Sequence, residues 1–399
     1  MKTERSATLL LIIAYLGFLS LGLPDSLIGV AWPSVRDDFA LKQSAAGLLF
    51  IGAGFSYFLS SFFTGRLLNA LGIGSLLAAS SAMVACSVLG HALAPVWALF
   101  AAWSLLHGLG SGAIDAGLNH YVAHHLSARH MNWLHAFYTL GATLGPLIMT
   151  AVLTGNGSWR TGYLIVAAIL LCLALLFAAA RRSWDRADGA MAAGRSENAG
   201  VGMMATFRHA TVRLQVALFF FYTGLEVTVG QWSFTLLTEW RSVPKQTAGA
   251  WVAIYWASIC AGRILFGYLV DRIGIDRLLR LSTVTSLLGT LLFALNLPGP
   301  VSGLALSLAG LGLAAIYPCM MARTPQRLGK AVAVHAIGYQ VSAATLGAAA
   351  LPSFTGYLAE RFGLETTLAT GAVGMALIVL LLHESLLSAR SPGEGGICR

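Results

Sequence analysis

Long apolar runs and short polar punctuation alternate along the whole chain. Twelve runs, near residues 7–30, 44–67, 73–94, 96–123, 131–155, 160–182, 212–238, 246–270, 278–297, 300–322, 331–358 and 364–388, are each long enough to cross a bilayer core as a helix. Glycine is abundant inside these runs, which suits close helix packing in lipid. The first run follows Lys2 and Arg5 like a signal peptide, but it lacks a small-residue cleavage site, so an uncleaved first helix is expected. The pattern predicts an all-α membrane protein with twelve transmembrane helices.

Composition agrees. Of 399 residues, 57% are hydrophobic and 10% charged, whereas a soluble domain carries about 25% charged residues. A secreted disulfide scaffold, a nucleic-acid binder and a disordered chain are excluded on the same ground. Cys86, Cys172, Cys260, Cys319 and Cys398 have no redox or metal-ligand spacing. The net charge of +9 is explained by where Lys and Arg fall. With both termini cytoplasmic and residues near span ends counted with the adjoining segment, 18 lie in inside segments, 6 in outside loops, and only Arg263 deep inside a span. That bias fits the positive-inside rule for a multi-pass protein of the cell inner (plasma) membrane and leaves no charge for nucleic acid to explain.

Residues 183–211 form the one long polar stretch and read as a cytoplasmic linker. They divide the chain into six-helix halves, 1–182 and 212–399. The halves are related: Gly22-Leu23 recurs as Gly224-Leu225, Ala46-Gly47 as Ala248-Gly249, GRLLNALG (65–72) as GYLVDRIG (267–274), GLGSGAI (108–114) as GLGLAAI (310–316), and ATLG (142–145) as ATLG (344–347), all at an offset of 202. Two pseudo-symmetric halves point to a transporter with its site between them near the bilayer midplane.

Asp25, Asp115 and Glu226 are the acids that fall inside predicted spans and away from helix ends. A charge there costs a few kcal/mol, so each calls for a role. Asp25 follows Pro24, which deprives the Ser20 carbonyl of its helical partner and predicts a broken helix. His107, Ser111, Asp115 and Asn119 share one face of span four by their four-residue spacing. Asn132, His135 and Thr139, with Tyr138 beside them, make a similar face on span five, and His335, Tyr339 and Ser342, with Gln340 adjacent, one on span eleven. Allowing one gap, Glu226 of span seven is the counterpart of Asp25. Trp232, Trp251, Tyr255, Trp256 and Tyr317 fall near the expected cavity, and rings beside a few polar groups suit a sugar; packing is the plainer reading of such rings. These faces nominate Asn119, His135, Tyr138, Trp232, His335, Tyr339 and Gln340 as solute contacts, and Asp25, Asp115 and Glu226 as proton-coupling groups. No P-loop, zinc-protease or nucleophile-elbow motif is present, and His124, His125 and His130 lack an acid or Cys partner, so neither an enzyme nor a cofactor or metal site is expected.

The loops GRLLNALG and GYLVDRIGIDR resemble the signature G-x-x-x-D-R-x-G of the major facilitator superfamily, complete in Asp271, Arg272 and Gly274 but carrying Asn69 and Ala70 in the first copy. Within that superfamily the sequence resembles the fucose permease-like branch of sugar:proton symporters, through Asp25, GAIDAGLN (112–119), NWLHAFYTLGATLGP (132–146), and Tyr222, Gly224, Glu226, Gly230 and Trp232 of span seven. The resemblance implies proton coupling and sugar recognition at Asp25 and Asp115, a gating loop at Asp271 and Arg272, and sugar contact at His135 and Tyr138, where the fucose permease has amides. The expected function is proton-coupled import of a sugar or similar small polar solute by a monomer. Export of amphipathic compounds and a non-transporting receptor are the alternatives.

Overall fold

The computed structural model describes residues 2–125, 128–189, 203–298 and 300–388, and no strand occurs among them. In the first half, α1 (Lys2–Asp25) and α2 (Leu27–Asp38) together make span one. They are followed by α3 (Ala46–Leu71), α4 (Ile73–Leu93), α5 (Trp97–His125), α6 (Ala128–Thr154) and α7 (Trp159–Gly189). A short α8 (Met203–Arg208) leads into α9 (Ala210–Thr235), which ends in one π-helical turn, Leu236–Trp240. Then come α10 (Lys245–Ile273), α11 (Ile275–Ala294), α12 (Val301–Leu313) and α13 (Ile316–Leu328), α14 (Lys330–Phe362) and α15 (Leu364–Ser388). Eleven helical segments among the described residues are long and apolar enough to cross a membrane. The twelfth crossing is α14, whose Gly, Ala, Ser and polar residues dilute its hydropathy.

Two spans are broken. Span one separates at Ser26, just after Pro24, where the expected break lies. Span ten separates at Ala314 and Ala315, a break the sequence reading did not include. Pro318 has no N–H for the Ala314 carbonyl, so the same chemistry operates there. Part of the stretch expected as linker is helical, residues 183–189 and 203–208. Helix α7 runs on to Gly189 because Trp184 is fully buried, stacked on Phe177 and edge-on to Tyr121. Residues 190–202 and the tail with Cys398 lie outside the described residues, as does the side chain of Asn132.

Each packing of the first half recurs in the second. Helix α1 packs on α6 as α9 packs on α14, α4 on α7 as α11 on α15, and α3 on α5 as α10 on α12. The halves meet through α6 against α10 and α3 against α14. Since α3 corresponds to α10 and α6 to α14, these two contacts are one contact repeated about a pseudo-twofold axis. Large apolar side chains such as Phe62, Leu175, Leu346, Phe354 and Leu381 are more than half exposed on the outside of the bundle, as lipid requires.

The halves close at one face only. Call the face where α1 begins and α15 ends the terminal face, and the opposite one the far face. At the far face Arg36 of α2 grips Glu239 with two bonds of 2.9 and 2.8 Å, and the Ser44 amide donates to Glu360 at 2.8 Å. Along the α3–α14 seam, a Cβ added at Gly47 would lie 3.2 Å from Ser353, and one at Gly54 2.6 Å from Ala349. Three turns further, at Gly65 of α3 and Gly338 of α14, it would meet nothing within 4 Å. The seam therefore splays open toward the terminal face.

Gly72 and Gly274, the last residues of the two loop motifs, have φ of 74° and 84° with ψ of 158° and 149°, a region essentially restricted to glycine. Each ends one helix and starts the next. Gly274→Ala should cost about 1–3 kcal/mol through backbone strain, because nothing lies near its side-chain position. Gly267→Ala, inside α10 and equally open, should be neutral or stabilising. Thermal melting of the detergent-solubilised variants checks the contrast.

Candidate solute and proton site

A cavity of about 310 Å3 lies between the halves and is lined from α1, α3, α5 and α6 on one side and α9, α10, α13 and α14 on the other. That volume falls within the range of small-molecule sites, about 300–1,000 Å3. Its wall is mostly apolar and aromatic. All three intramembrane acids reach it: Asp25, Asp115 and Glu226.

Asp25 sits at the break in span one. Its carboxylate meets His107 Nε2 at 2.9 Å and accepts from the Tyr138 hydroxyl at 3.1 Å. Its main-chain carbonyl accepts from Gln231 of the other half at 2.7 Å. Where a helix breaks, such carbonyls need other partners, and here the partner ties α9 to span one. Glu226 accepts from the Tyr222 hydroxyl and pairs with buried Arg263 at 3.5 Å. Arg263 also donates to the His135 carbonyl of the opposite half at 3.0 Å. Asp115 differs. It accepts from Asn119 at 3.0 Å with Tyr57 beside it, and no cationic side chain pairs with it among the described residues.

Of the nominated solute contacts, His135 and Tyr138 line the cavity. The His135 ring is edge-on to Phe18 and 5.4 Å from that of Tyr317. Five others do not line it. Asn119 lies one turn beyond Asp115 and holds that carboxylate. Trp232 is buried, bonding the Pro352 carbonyl at 2.9 Å with its ring edge-on to Phe50. Gln340 is fully buried, donating to Gln215 at 3.0 Å and Thr324 at 2.9 Å. Tyr339 packs its ring on Phe207, and His335 lies on the same face of α14. The reason is rotation: α14 presents Val341, Ala344, Thr345, Ala348 and Ala349 to the cavity, while its polar stripe leads on to exposed Leu346. Asp271 and Arg272 are exposed at the terminal-face end of α10, with no ion pair among the described contacts. Asp276 instead pairs with Arg323 and Arg327.

Arg263, Tyr57, Tyr222, Gln231 and His91 also line the cavity and were not nominated. For Arg263 the signal was present: it is the one basic residue inside a predicted span, and a lone intramembrane cation asks for an acid.

A bundle of membrane-length helices in two related halves, with a largely apolar cavity carrying a few polar groups between them, is the architecture of a solute transporter. The family pattern of the Major Facilitator Superfamily matches residues 14–352, and the chain belongs to that superfamily; it is a transporter and not an enzyme. It is 24% identical over 394 residues to the human Sodium-dependent glucose transporter 1, covering 86% of this chain and 72% of that protein. To a putative glucose/galactose transporter of Helicobacter pylori J99 it is 24% identical over 249 residues, 58% of each. The fold matches the D-xylose-proton symporter with a TM-score of 0.72 at 16% identity, covering 94% of this chain and 97% of that one. It matches the nucleoside transporter NupG at 0.76 and 16%, covering 96% and 100%.

Breaking the Glu226–Arg263 pair should leave a charge buried without a partner, at about 3–5 kcal/mol. Glu226→Gln or Arg263→Gln alone should lower the melting temperature and yield of folded protein, and the double variant should recover most of the loss. Additive losses would show that the two groups do not neutralise each other.

Proposed function

We propose that this protein is a proton-coupled symporter that imports a sugar or similar small polar solute by alternating access. The observation that carries the proposal is Asp115: a carboxyl on the cavity wall, held by neutral hydrogen-bonding groups, with no cation paired to it among the described residues. A buried carboxyl without a fixed counter-charge favours its neutral form where water is scarce and its charged form where water enters. Exposing it alternately to the two sides ties proton movement to solute movement. Glu226, neutralised by Arg263, serves as a structural charge pair, and Asp25 shares the coupling role.

His135 and Tyr138, beside Phe18, Trp256 and Tyr317, form the solute-contacting wall. Rings for the apolar face of a pyranose and a few hydrogen-bonding groups for its hydroxyls match that solute class. The relatives named as glucose and glucose/galactose transporters support it. The terminal face carries Arg66, Arg272, Arg277, Arg280, Arg323 and Arg327, and assigning it to the cytoplasm of an inner membrane, with both termini inside, follows the positive-inside rule. The state described is then open to the cytoplasm, and the protein works as a monomer with one cavity per chain.

Sodium is the second reading for the coupling ion, favoured by the name of the human relative. Proteoliposomes separate the two. Radiolabelled D-glucose should accumulate under an inward pH gradient and not under an inward sodium gradient alone. Extrusion of amphipathic dyes without sugar flux would instead support an exporter. Asp115→Asn mimics the protonated acid, so pH-driven accumulation should fall about tenfold or more relative to glucose counterflow, within the usual range of coupling energies. Accumulation at the wild-type level would remove Asp115 from the coupling role.

A further inference from the structure

The cavity carries an excess of acids that contact with a neutral solute leaves unexplained. Among the described residues three acids line it, Asp25, Asp115 and Glu226, against one guanidinium, Arg263. That guanidinium is engaged within the protein: its side chain is 7% exposed and meets Glu226 at 3.5 Å and the His135 carbonyl at 3.0 Å. His107 faces Asp25 at 2.9 Å. No permanently charged cation lining the cavity is left over for Asp115, or for an anionic solute. A wall of this sign draws cations and turns anions away.

The repeat places a ring opposite Asp115. The segment GLGSGAI (108–114) corresponds to GLGLAAI (310–316), so the residues that follow, Asp115 and Tyr317, are counterparts at the common offset of 202. The pseudo-twofold relation sets them on opposite walls, and both line the cavity. Tyr317 is half-buried, its ring edge-on to that of Phe219 at 5.3 Å and 5.4 Å from that of His135. It lies near enough to feel the Asp115 charge. Tyr57, beside Asp115, adds a second ring. The halves thus oppose a carboxylate to a ring where an exact repeat would have put two of either. A carboxylate on one side and a ring on the other make a receptor for an ammonium group: the first neutralises its charge, and the negative face of the second attracts it.

Hydrogen bonding around Asp115 has room for such a group. An ionised carboxylate offers about four acceptor positions; Asn119 occupies one at 3.0 Å, and Tyr57 lies at another. One turn earlier on the same face of α5, Ser111 lines the cavity at 3% exposure, its buried Oγ without a partner among the described residues. An ammonium has three protons to give, and Asp115 and Ser111 supply acceptors for them. A hydroxyl in the same place has one proton and leaves the Asp115 charge uncompensated.

We infer that the cavity takes an amine-bearing solute, an amino sugar in the size range of a hexose, with its ammonium between Asp115 and the ring of Tyr317. The inference deepens the sugar reading of the cavity and rests on it. It stands apart from proton coupling: the ammonium brings to Asp115 the positive charge that a proton brings when the solute is neutral. Neutral sugars then bind more weakly, and sugar acids most weakly.

Calorimetric binding to the detergent-solubilised protein tests this without any gradient. At neutral pH, D-glucosamine or 6-amino-6-deoxy-D-glucose, or both, should bind about tenfold or more tightly than D-glucose, as a charge-assisted contact would give, and D-glucuronate more weakly than D-glucose. Asp115→Asn should bring the ratio of amine to D-glucose affinity to about one. Tyr317→Leu should lower that ratio about threefold, whereas Tyr317→Phe, which keeps the ring, should leave it as in the wild type. D-Glucose bound as tightly as both amines overturns the inference and leaves the sugar reading standing. A preference for the amine that survives in Asp115→Asn overturns it as well. Amines preferred by a protein that ignores the pH gradient in liposomes support the inference and remove the symport reading, and binding of neither sugar nor amine removes both. If Asp115→Asn does not elute as folded protein, the Tyr317 variants decide: equal ratios in Tyr317→Leu and Tyr317→Phe overturn it.

Discussion

Charge inside hydrocarbon costs several kcal/mol unless something neutralises it or water reaches it, and the centre of this protein is arranged around that constraint. Each of the three intramembrane acids meets it in its own way. Glu226 has a fixed cation in Arg263. Asp25 has a histidine, and Asp115 has only hydrogen-bond donors. Fixed compensation gives a structural element, and a carboxyl held by neutral groups alone is the one most sensitive to water in the cavity. One kind of side chain thus sits in three different environments.

The same groups join the two halves. Arg263 reaches the His135 carbonyl across the cleft, and Gln231 reaches the carbonyl of Asp25 at the break in span one. Above them the far face is shut by Arg36 with Glu239 and by the close α3–α14 seam. Below them the seam opens. The break in span one is therefore bonded directly to the opposite half. The pseudo-twofold relation makes the two crossing contacts equivalent, so rocking about the cavity disturbs both together.

Much of this was legible in the sequence because the repeat is written in residues that packing cannot change. Gly22 and Gly347 lie where an added Cβ would sit 1.9 Å from the Tyr138 carbonyl and 2.0 Å from that of Phe220, so the two halves keep glycine at helix contacts. Pro24 marked the first broken helix for the same kind of reason. The site was half legible. The acids, His135 and Tyr138 reach the cavity because polar groups on single, otherwise apolar helices have few other places to go. Gln340 and Trp232 went elsewhere, since a buried polar group is satisfied equally by a neighbouring helix, and Gln215, Thr324 and the Pro352 carbonyl supplied that partner. Helix rotation decides between the two, and polarity alone does not encode it. Arg263 was visible as a solitary cation, but its partner Glu226 lies 37 residues away on another helix.

The claim on which the account most depends is that the far-face closure is one of two states. Spin labels on Ala40→Cys and Ser242→Cys, in a background lacking the native cysteines, report the separation of the far-face ends of spans one and seven. Pulsed electron resonance should show a short distance, joined by a longer one whose share grows when Arg36→Ala removes the grip on Glu239. A single short distance in both proteins, with and without D-glucose and at acid and neutral pH, would contradict alternating access in this molecule.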